Sequence, residues 1–295
     1  MPERDPADFR PARESSVWTL VVVVVVILAA AFGWWRWSLQ KEPPPAPPAA
    51  SAPPPPDRPA DAPAPAPVAT GPQNLVDALA QPDAALPALN DADGRVAAAL
   101  NELLGKKAVA SFLDTSGFVR HFVATVDNLP RAQASSRMWP TQRAPKAFEV
   151  QGNGEVKTIG IDNASRYTPF VLFAESVDSA RAAALYARLY PLFQQAYEEL
   201  GYPNRYFNDR LVAVIDHLLQ APEPQGPVQV KLTEVKGEMA GGQPWVSYEF
   251  VDPKLESLSA GQKMLVRMGP VNERRMKAKL KELRAQVATG AVAKK

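Results

Sequence analysis

The sequence predicts an α+β fold: a mainly helical domain with one small antiparallel sheet, preceded by a single transmembrane helix and a Pro/Ala-rich linker. Three observations support this prediction. Residues 17–36 are almost entirely apolar, and residues 43–72 contain 14 prolines. From residue 73 onward apolar residues recur at helical spacing, except in segments 148–161 and 228–250, where they alternate with polar residues.

The apolar segment 17–36 is predicted to span a bilayer. Residues 17–35 carry no charge and include six consecutive valines. At about 1.5 Å per residue they reach roughly 28 Å, close to the hydrocarbon thickness of a membrane. Tryptophans near both ends fit the lipid–water boundary: Trp18, Trp34, Trp35 and Trp37. A cleaved signal peptide is the alternative, because Ala29-Ala30-Ala31 offers a small-x-small site, but the apolar run exceeds a usual signal core.

The basic residues around this span predict its orientation. Three precede it and two follow it closely, which favours a cytoplasmic amino terminus. The predicted order is a cytoplasmic tail (1–16), the transmembrane helix (17–36), a disordered Pro/Ala-rich linker (37–72) and a globular periplasmic domain with a basic C-terminal helix (73–295). Because proline lacks an amide hydrogen and fixes φ, the linker favours polyproline II and is expected to act as a spacer. The predicted location is the inner membrane.

The composition excludes several classes of function. There is no cysteine, which excludes disulfides, thiolate metal sites and cysteine nucleophiles, and the only histidines are His121 and His217. The net charge of +2 is too small to indicate a nucleic-acid partner. No phosphate-binding glycine loop or Gly-x-Ser-x-Gly elbow occurs, and Ser259 and Lys263 are one position too far apart for a Ser-x-x-Lys arrangement. No cofactor, metal site or catalytic residue is therefore predicted, and the protein is expected not to be an enzyme.

In the first half of the domain, helical spacing predicts three helices, at 75–79, 96–104 and 118–129. Asp91 or Asp93 is expected to cap the second helix, and the polar run 114–116 to cap the third. Pro130 ends the third helix, and residues 131–146 are predicted to form a loop.

Two pairs of strands are predicted from alternating apolar residues. The first pair, 148–151 and 156–161, flanks the turn signal Gly152-Asn153-Gly154. The second pair, 228–233 and 245–250, is joined by a loop through Gly241-Gly242.

The remaining segments are predicted to be helical, at 167–173 (where a strand is the alternative), 178–200, 207–218, 255–268 and 272–287. Asp178 or Ser179 should cap the long second helix of this set, and Gly201 should end it. Pro191 inside that helix should kink or restart it. Asn204 is expected to cap the helix that follows.

Two polar clusters, 126–131 and 201–210, are the candidate site. Each packs an acid, an amide and arginine beside apolar or aromatic residues. As a ligand or partner groove, they would let an arginine bind a carboxylate or phosphate in bidentate fashion. As a structural feature, they would be helix caps and an Arg–Asp network that locks two helix ends together. The candidate groove residues are Asp127, Arg131, Arg205, Tyr206, Asp209 and Arg210.

The same clusters carry a family resemblance. The strings FVATVDNLPR (122–131), LYPLF (189–193) and GYPN (201–204) resemble the domain of unknown function 3014 family of Gram-negative bacteria. The resemblance extends over residues 75–288. It implies a membrane-anchored envelope protein with no assigned activity, and it supplies no catalytic or binding residues.

The carboxyl-terminal segment is basic and amphipathic. Residues 272–295 contain eight Lys or Arg and two Glu. An apolar stripe at heptad spacing runs along the predicted helix: Met276, Leu280, Leu283 and Val287. This helix is expected to dock on its own domain. The alternatives are self-association through residues 272–288 and binding to an anionic lipid surface.

These patterns predict a single-span inner-membrane protein with a periplasmic interaction or scaffold domain. Its expected partners are the inner-membrane lipid bilayer and an unidentified envelope protein or cell-wall component. The alternative is an envelope or cell-wall enzyme that uses carboxylates and arginines around Asp127, Arg131 and Asp209.

Overall fold

The computed structural model describes residues 71–83, 85–233 and 248–290. The predicted transmembrane helix 17–36, the linker up to residue 70 and the Gly241-Gly242 loop lie outside these residues. Within the described ranges, no helix is both long enough and apolar enough to cross a membrane.

Nine α-helices and four β-strands make up the regular structure of the described residues. The helices are α1 (Asp93–Leu104), α2 (Lys106–Phe112), α3 (Phe118–Asn128), α4 (Thr168–Ser176), α5 (Ser179–Glu199), α6 (Phe207–Leu219), α7 (Pro253–Glu256), α8 (Ala260–Arg267) and α9 (Pro270–Val287). The strands are β1 (Val150–Gln151), β2 (Val156–Ile159), β3 (Gln229–Leu232) and β4 (Tyr248–Phe250). Short 3₁₀ helices lie at Val76–Ala78, Leu89–Asp91, Ser136–Met138 and Ile161–Arg166. The predicted mainly helical domain with one small antiparallel sheet is confirmed.

The caps predicted for the first helices are wrong. Helix α1 starts after Ala92 and α3 after Gly117, and neither start has a side-chain cap. Asp91 lies in a 3₁₀ turn, and Gly117, with φ of 58°, separates the polar run 114–116 from α3. The carboxylate of Asp93 instead accepts a hydrogen bond from the Gly117 backbone N–H at 2.8 Å. Asp93 therefore ties the start of α1 to the start of α3.

Helix α2 has no counterpart among the predicted helices, because its seven residues are too few to show helical periodicity. Gly105, with φ of 84°, separates it from α1 in a conformation that favours glycine. Phe112 at its end stacks on Phe173 of α4, with 4.6 Å between ring centroids.

The four strands form one antiparallel sheet in the order β1-β2-β3-β4. Strand β1 pairs with β2, and β3 with β4, as predicted. Pairing of β2 with β3, with Lys157 opposite Val230, joins the two predicted pairs into one sheet. Val230 and Phe250 are buried and pack against Val266 of α8. The sheet thus covers the start of the carboxyl-terminal helical region.

The long helix α5 begins as predicted but passes through its proline. The Asp178 side chain accepts a hydrogen bond from the Arg181 backbone N–H and caps the helix. The helix runs without interruption through Pro191, so the predicted restart does not occur. The Arg188 carbonyl, in the turn before this proline, accepts a hydrogen bond from the Asp83 N–H at 3.0 Å.

Helix α5 ends in a Schellman motif at Gly201, as the glycine predicted. The Gly201 N–H donates to the Glu198 carbonyl, and the Tyr202 N–H donates to the Tyr197 carbonyl. The rings of Tyr197 and Tyr202 stack with 4.7 Å between centroids, which is the apolar contact that usually accompanies this motif. The turn brings Tyr202 toward the end of α3.

The cap predicted for α6 is wrong, because the residue before this helix is Tyr206 and not Asn204. Two side chains of α5 accept hydrogen bonds from the first backbone N–H groups of α6. Gln194 accepts from Phe207 at 2.9 Å, and the Tyr190 hydroxyl accepts from Asn208 at 3.3 Å. Tertiary contacts here replace a local cap.

The helix predicted over 255–268 is divided into α7 and α8. Ser259 caps α8 in a full capping box with Gln262, which explains why the chain breaks there. Helix α9 follows Gly269 and packs on α4, α5, α6 and α8.

The core lies between α3, α5 and α6. Phe122, Phe193 and Phe207, one from each helix, have ring centroids 5.4 to 6.4 Å apart. This packing places the end of α3 beside the start of α6, where the two predicted polar clusters lie.

Candidate functional site

Asp127, in the last turn of α3, is the centre of the polar site. Its side chain is 2% exposed. The carboxylate accepts hydrogen bonds from Arg131, from the Tyr202 hydroxyl at 3.1 Å and from Arg210 Nε at 3.0 Å. Arg210 also donates to the Asp127 carbonyl at 3.0 Å. One buried carboxylate therefore joins the end of α3 to the turn after α5 and to α6.

Arg131 is the exposed member of this network. Its side chain is 54% exposed, and it also donates to the Tyr202 hydroxyl at 3.0 Å. Hydrogen bonding and charge attraction from Asp127 raise the pKa of the Arg131 guanidinium. The group stays charged and remains partly open to solvent.

Arg205 lies close to the same network without an ion pair among the described residues. It is exposed, and its backbone carbonyl accepts a hydrogen bond from Gln194 at 2.8 Å. Burial raises the pKa of the nearby Tyr197 hydroxyl, and the negative charge of Asp127 adds to this effect, while the positive charges of Arg210 and Arg205 oppose it. Arg131 and Arg210 thus bind the Asp127 carboxylate, and Arg205 lies near Tyr197 beside them. We call Arg131, Arg205 and Arg210 the arginine face.

Tyr206 and Asp209 belong to a different network. The Asp209 carboxylate accepts hydrogen bonds from the backbone N–H groups of Gln73 and Asn74, at 2.8 to 3.1 Å, and from the Asn74 side chain. The Tyr206 hydroxyl accepts from the Val76 N–H at 2.9 Å. Five of the six candidate side chains are therefore divided between two hydrogen-bond networks, the side chain of Arg205 takes part in neither among the described residues, and the ligand or partner groove stays a prediction. The two networks are separate because neighbouring helix residues point in different directions.

We call the second network the clasp: residues 73–76, 206–209 and 287–290. Buried Asn208 donates to the carbonyls of Asn74 and Val287, both at 2.9 Å. The Gly290 N–H donates to the Asn74 side chain at 3.1 Å, and Thr289 donates to the Leu75 carbonyl at 2.9 Å. The clasp fixes the start of the domain beside its carboxyl-terminal end.

Neither Asn208 nor Gly290 is among the candidate residues that the sequence predicts. An asparagine in a polar helix start has an obvious local role, and its two partners lie 134 and 79 residues away in sequence. Helical spacing gives no signal for such contacts.

The basic helix α9 docks on its own domain, as the first interpretation predicted. Its apolar stripe faces the core, with Val287 buried and Met276 and Leu280 partly buried. Four of its cations form ion pairs: Arg275 with Glu175, Lys277 with Glu223 and Glu273, Lys279 with Glu282, and Arg284 with Asp216. Self-association and lipid binding stay predictions.

The two histidines are held in structural surroundings. His217 Nε2 lies 2.9 Å from the Ser259 hydroxyl, but that hydroxyl also caps α8 and Ser259 is only 7% exposed. His121 lies on α3, and its Nδ1 is buried without a hydrogen bond inside the described structure. In the described part of the chain, no group of three His, Asp or Glu residues could hold a metal ion.

Comparison with known proteins gives a family and nothing closer. The family model described as "Protein of unknown function (DUF3014)" matches residues 118–284, which include all six candidate residues and α9 up to Arg284. Neither a curated protein nor a solved structure matches the chain. Since the match covers more than half of the sequence, the chain belongs to the DUF3014 family.

Proposed function

We propose that this protein is a single-span inner-membrane protein whose periplasmic domain is an interaction module, and that the arginine face binds an acidic group of an envelope protein or cell-wall partner. The observation that carries the proposal is the charge around Asp127. Two guanidinium groups, of Arg131 and Arg210, bind one buried carboxylate, and Arg131 and the neighbouring Arg205 are exposed to solvent. Guanidinium groups in such a setting suit carboxylate or phosphate recognition.

The clasp supports the tethered arrangement. In the proposed topology, residue 73 follows directly on a Pro/Ala spacer that leads from the bilayer. Asp209 accepts a hydrogen bond from the Gln73 backbone N–H, and Asn208 donates one to the Asn74 carbonyl. The domain would thus be held at one defined point while the arginine face stays free for a partner.

The enzyme alternative needs an acid or base that a substrate can reach. Asp127 and Asp209 are the carboxylates it would use, and each already accepts at least three hydrogen bonds from its own chain. A carboxylate held in this way is suited to positioning neighbouring groups. This arrangement favours an interaction role over acid–base chemistry.

Crosslinking of the full chain in its own membranes tests the contact. We expect Arg131→Gln combined with Arg205→Gln to abolish a crosslinked species that the wild-type chain forms. A matched control replaces two exposed arginines of the 131–146 loop, Arg137→Gln with Arg143→Gln, and should leave that species unchanged. Equal crosslinking by both double variants would refute the arginine face as the contact.

The topology is tested separately with carboxyl-terminal reporters. An alkaline phosphatase fusion, active only outside the cytoplasm, should give activity, and a fluorescent protein that matures only in the cytoplasm should give none. The reverse pattern would refute the periplasmic location and leave the crosslinking result standing.

A further inference from the structure

A group of partly exposed aromatic residues lies between α2 and α4. The rings of Phe112, Phe170 and Phe173 have centroids 4.6 to 6.3 Å apart, and none of the three residues is fully buried. Beside them on α4, Leu172 is 50% exposed, and Pro169 is exposed as well. We call these five residues the aromatic patch. Apolar side chains that lie together at a surface mark a contact with a partner or a membrane.

The packing of α4 explains why this face is open. Val171 is fully buried, and one step along a helix turns the next side chain, Leu172, by about 100°. On another side of the helix, the Glu175 carboxylate accepts hydrogen bonds from Arg275 of α9. Helix α4 therefore turns Val171 toward the core and Glu175 toward α9, and the side that carries Pro169 and Leu172 is left to solvent in the described structure.

Exposed cations border the aromatic patch. The Gln142 N–H donates to the Phe112 carbonyl at 2.9 Å, and the Lys146 carbonyl accepts a hydrogen bond from Arg166, two residues before α4, at 3.0 Å. The segment from Gln142 to Lys146 thus runs from the end of α2 to the start of α4, and Arg143 lies on it. Arg143 and Lys146 are exposed and form no ion pair among the described residues.

Positive charge is in excess around the patch. Helix α2 carries the exposed Lys106 and Lys107 and no acid, and residues 131–146 contain four cations and no acid. The acids nearest in sequence to the patch are Asp114 and Glu175, and Glu175 is neutralised by its ion pair with α9. Aromatic and aliphatic side chains beside basic residues are typical of surfaces that lie in the headgroup region of anionic membranes. The charge of this rim therefore favours an anionic lipid surface as the partner.

The predicted linker is long enough to bring the patch to the bilayer. Thirty residues of polyproline II, the length of the segment 43–72, extend to roughly 90 Å. A compact domain of about 220 residues has a diameter of roughly 45 Å. In the proposed topology, the linker thus allows any face of the domain to reach the membrane, and the side chains on the faces decide which one binds.

We propose that the aromatic patch docks on the anionic lipid surface of the bilayer in which the chain is anchored. The aromatic rings and Leu172 enter the headgroup region, and Arg143 and Lys146 bind lipid phosphate groups. The inference rests on the proposed membrane anchor. It uses none of the arginine-face residues, so the arginine face stays free for a protein or cell-wall partner.

A fluorescent probe on the patch tests this contact. The chain has no cysteine, so full-length Leu172→Cys can carry a single nitrobenzoxadiazole label. The labelled chain is reconstituted in liposomes of equal parts phosphatidylcholine and phosphatidylglycerol, with a nitroxide on the lipid close to the headgroup. We expect the nitroxide to remove most of the fluorescence. Leu200→Cys is the matched control, because Leu200 is 43% exposed and lies outside the patch, and its label should keep its fluorescence.

The charge of the rim is tested in the same liposomes. Quenching should be lost when phosphatidylcholine replaces phosphatidylglycerol. Arg143→Gln with Lys146→Gln should lower the ratio of docked to free domain about 20-fold, since each cation near an anionic surface contributes roughly a fivefold change in binding. Lys254→Gln with Lys281→Gln removes two other exposed cations, one of them on α9, and should leave quenching unchanged.

Three results would overturn the inference: equal quenching at the two label positions, quenching that persists without phosphatidylglycerol, or an equal loss in both charge variants. A blue-shifted label without quenching would mean that a protein covers the patch, and would also overturn it. A chain that does not float with the liposomes would refute the anchor and this inference with it, whereas a chain that floats without quenching would refute the docking alone. The arginine double variant of the crosslinking test should be quenched like the wild type.

Discussion

Replacing Asp127 by alanine should be among the most damaging single changes to the stability of this domain. The side chain is 2% exposed and accepts hydrogen bonds from Arg131, Tyr202 and Arg210. Arg210 is 32% exposed, so its charge would remain partly desolvated after the carboxylate is removed. Breaking one side of a buried ion pair costs about 3 to 5 kcal/mol.

Replacing the partners of Asp127 should lower the free energy of unfolding by less. Arg131 is 54% exposed, so solvent screens its ion pair, and Arg131→Gln should cost no more than about 1 kcal/mol. The loss of stability in Arg210→Gln should lie between those of Asp127→Ala and Arg131→Gln, since Arg210 is less exposed than Arg131 and also donates a hydrogen bond to the Asp127 carbonyl. The predicted order of destabilisation is Asp127→Ala, then Arg210→Gln, then Arg131→Gln.

Thermal unfolding of the full chain measures this order. For a domain of about 200 residues, 1 kcal/mol corresponds to roughly 2 to 4 °C, so Asp127→Ala should lower Tm by about 6 to 20 °C. Asp162→Ala is the control, because Asp162 is exposed and its carboxylate has no hydrogen bond among the described residues. A Tm for Asp127→Ala within about 2 °C of this control, or an equal loss in Arg131→Gln, would refute the reasoning.

Three further predictions concern the clasp and the buried Glu273, and Glu256 provides a contrast. Asp209→Ala should speed amide hydrogen exchange of the backbone groups that it binds at the start of the domain, and unchanged exchange would show that Asp209 does not hold them. Gly290→Ala should lower Tm, because the new Cβ would lie 2.5 Å from a backbone carbonyl oxygen. The control is Gly94→Ala, whose Cβ meets nothing within 4 Å and which should be neutral or slightly stabilising. Equal Tm values for the two variants would contradict the close approach at Gly290. Burial raises the pKa of Glu273 above 4.5, so the folded state keeps a proton that the unfolded state loses, and this contribution to stability declines as pH rises above about 4.5. Glu273→Gln should therefore gain in Tm relative to the wild type as pH rises from about 4.5 to 7, and parallel Tm profiles would contradict it. The pH dependence of stability has the opposite sign for Glu256. Burial raises the pKa of this carboxyl, but hydrogen bonds lower it by more, so the contribution of Glu256 to stability is lost as pH falls.

About half of the candidate site could be predicted from the sequence. Asp127 and Arg131 are four residues apart at a helix end, a spacing that brings two side chains together, and the structure joins them. Arg210 lies 83 residues from Asp127, and only the packing of α3 against α6 makes them partners. Asp209 looked like a neighbour of the same site, but one step along a helix turns a side chain by about 100°, and it binds the start of the domain instead.

The sequence by itself determined the class of the domain and most of its elements. Apolar spacing of three and four residues, alternation in two segments, and Gly201 at the end of a long helix are local signals, and each led to the element that the structure contains. Tertiary structure alone decided how the ends of those elements are satisfied. Gln194 and Tyr190 replace the cap expected from Asn204, and Asp209 and Asn208 close the clasp, because a backbone N–H group pairs with whichever acceptor the packing brings near.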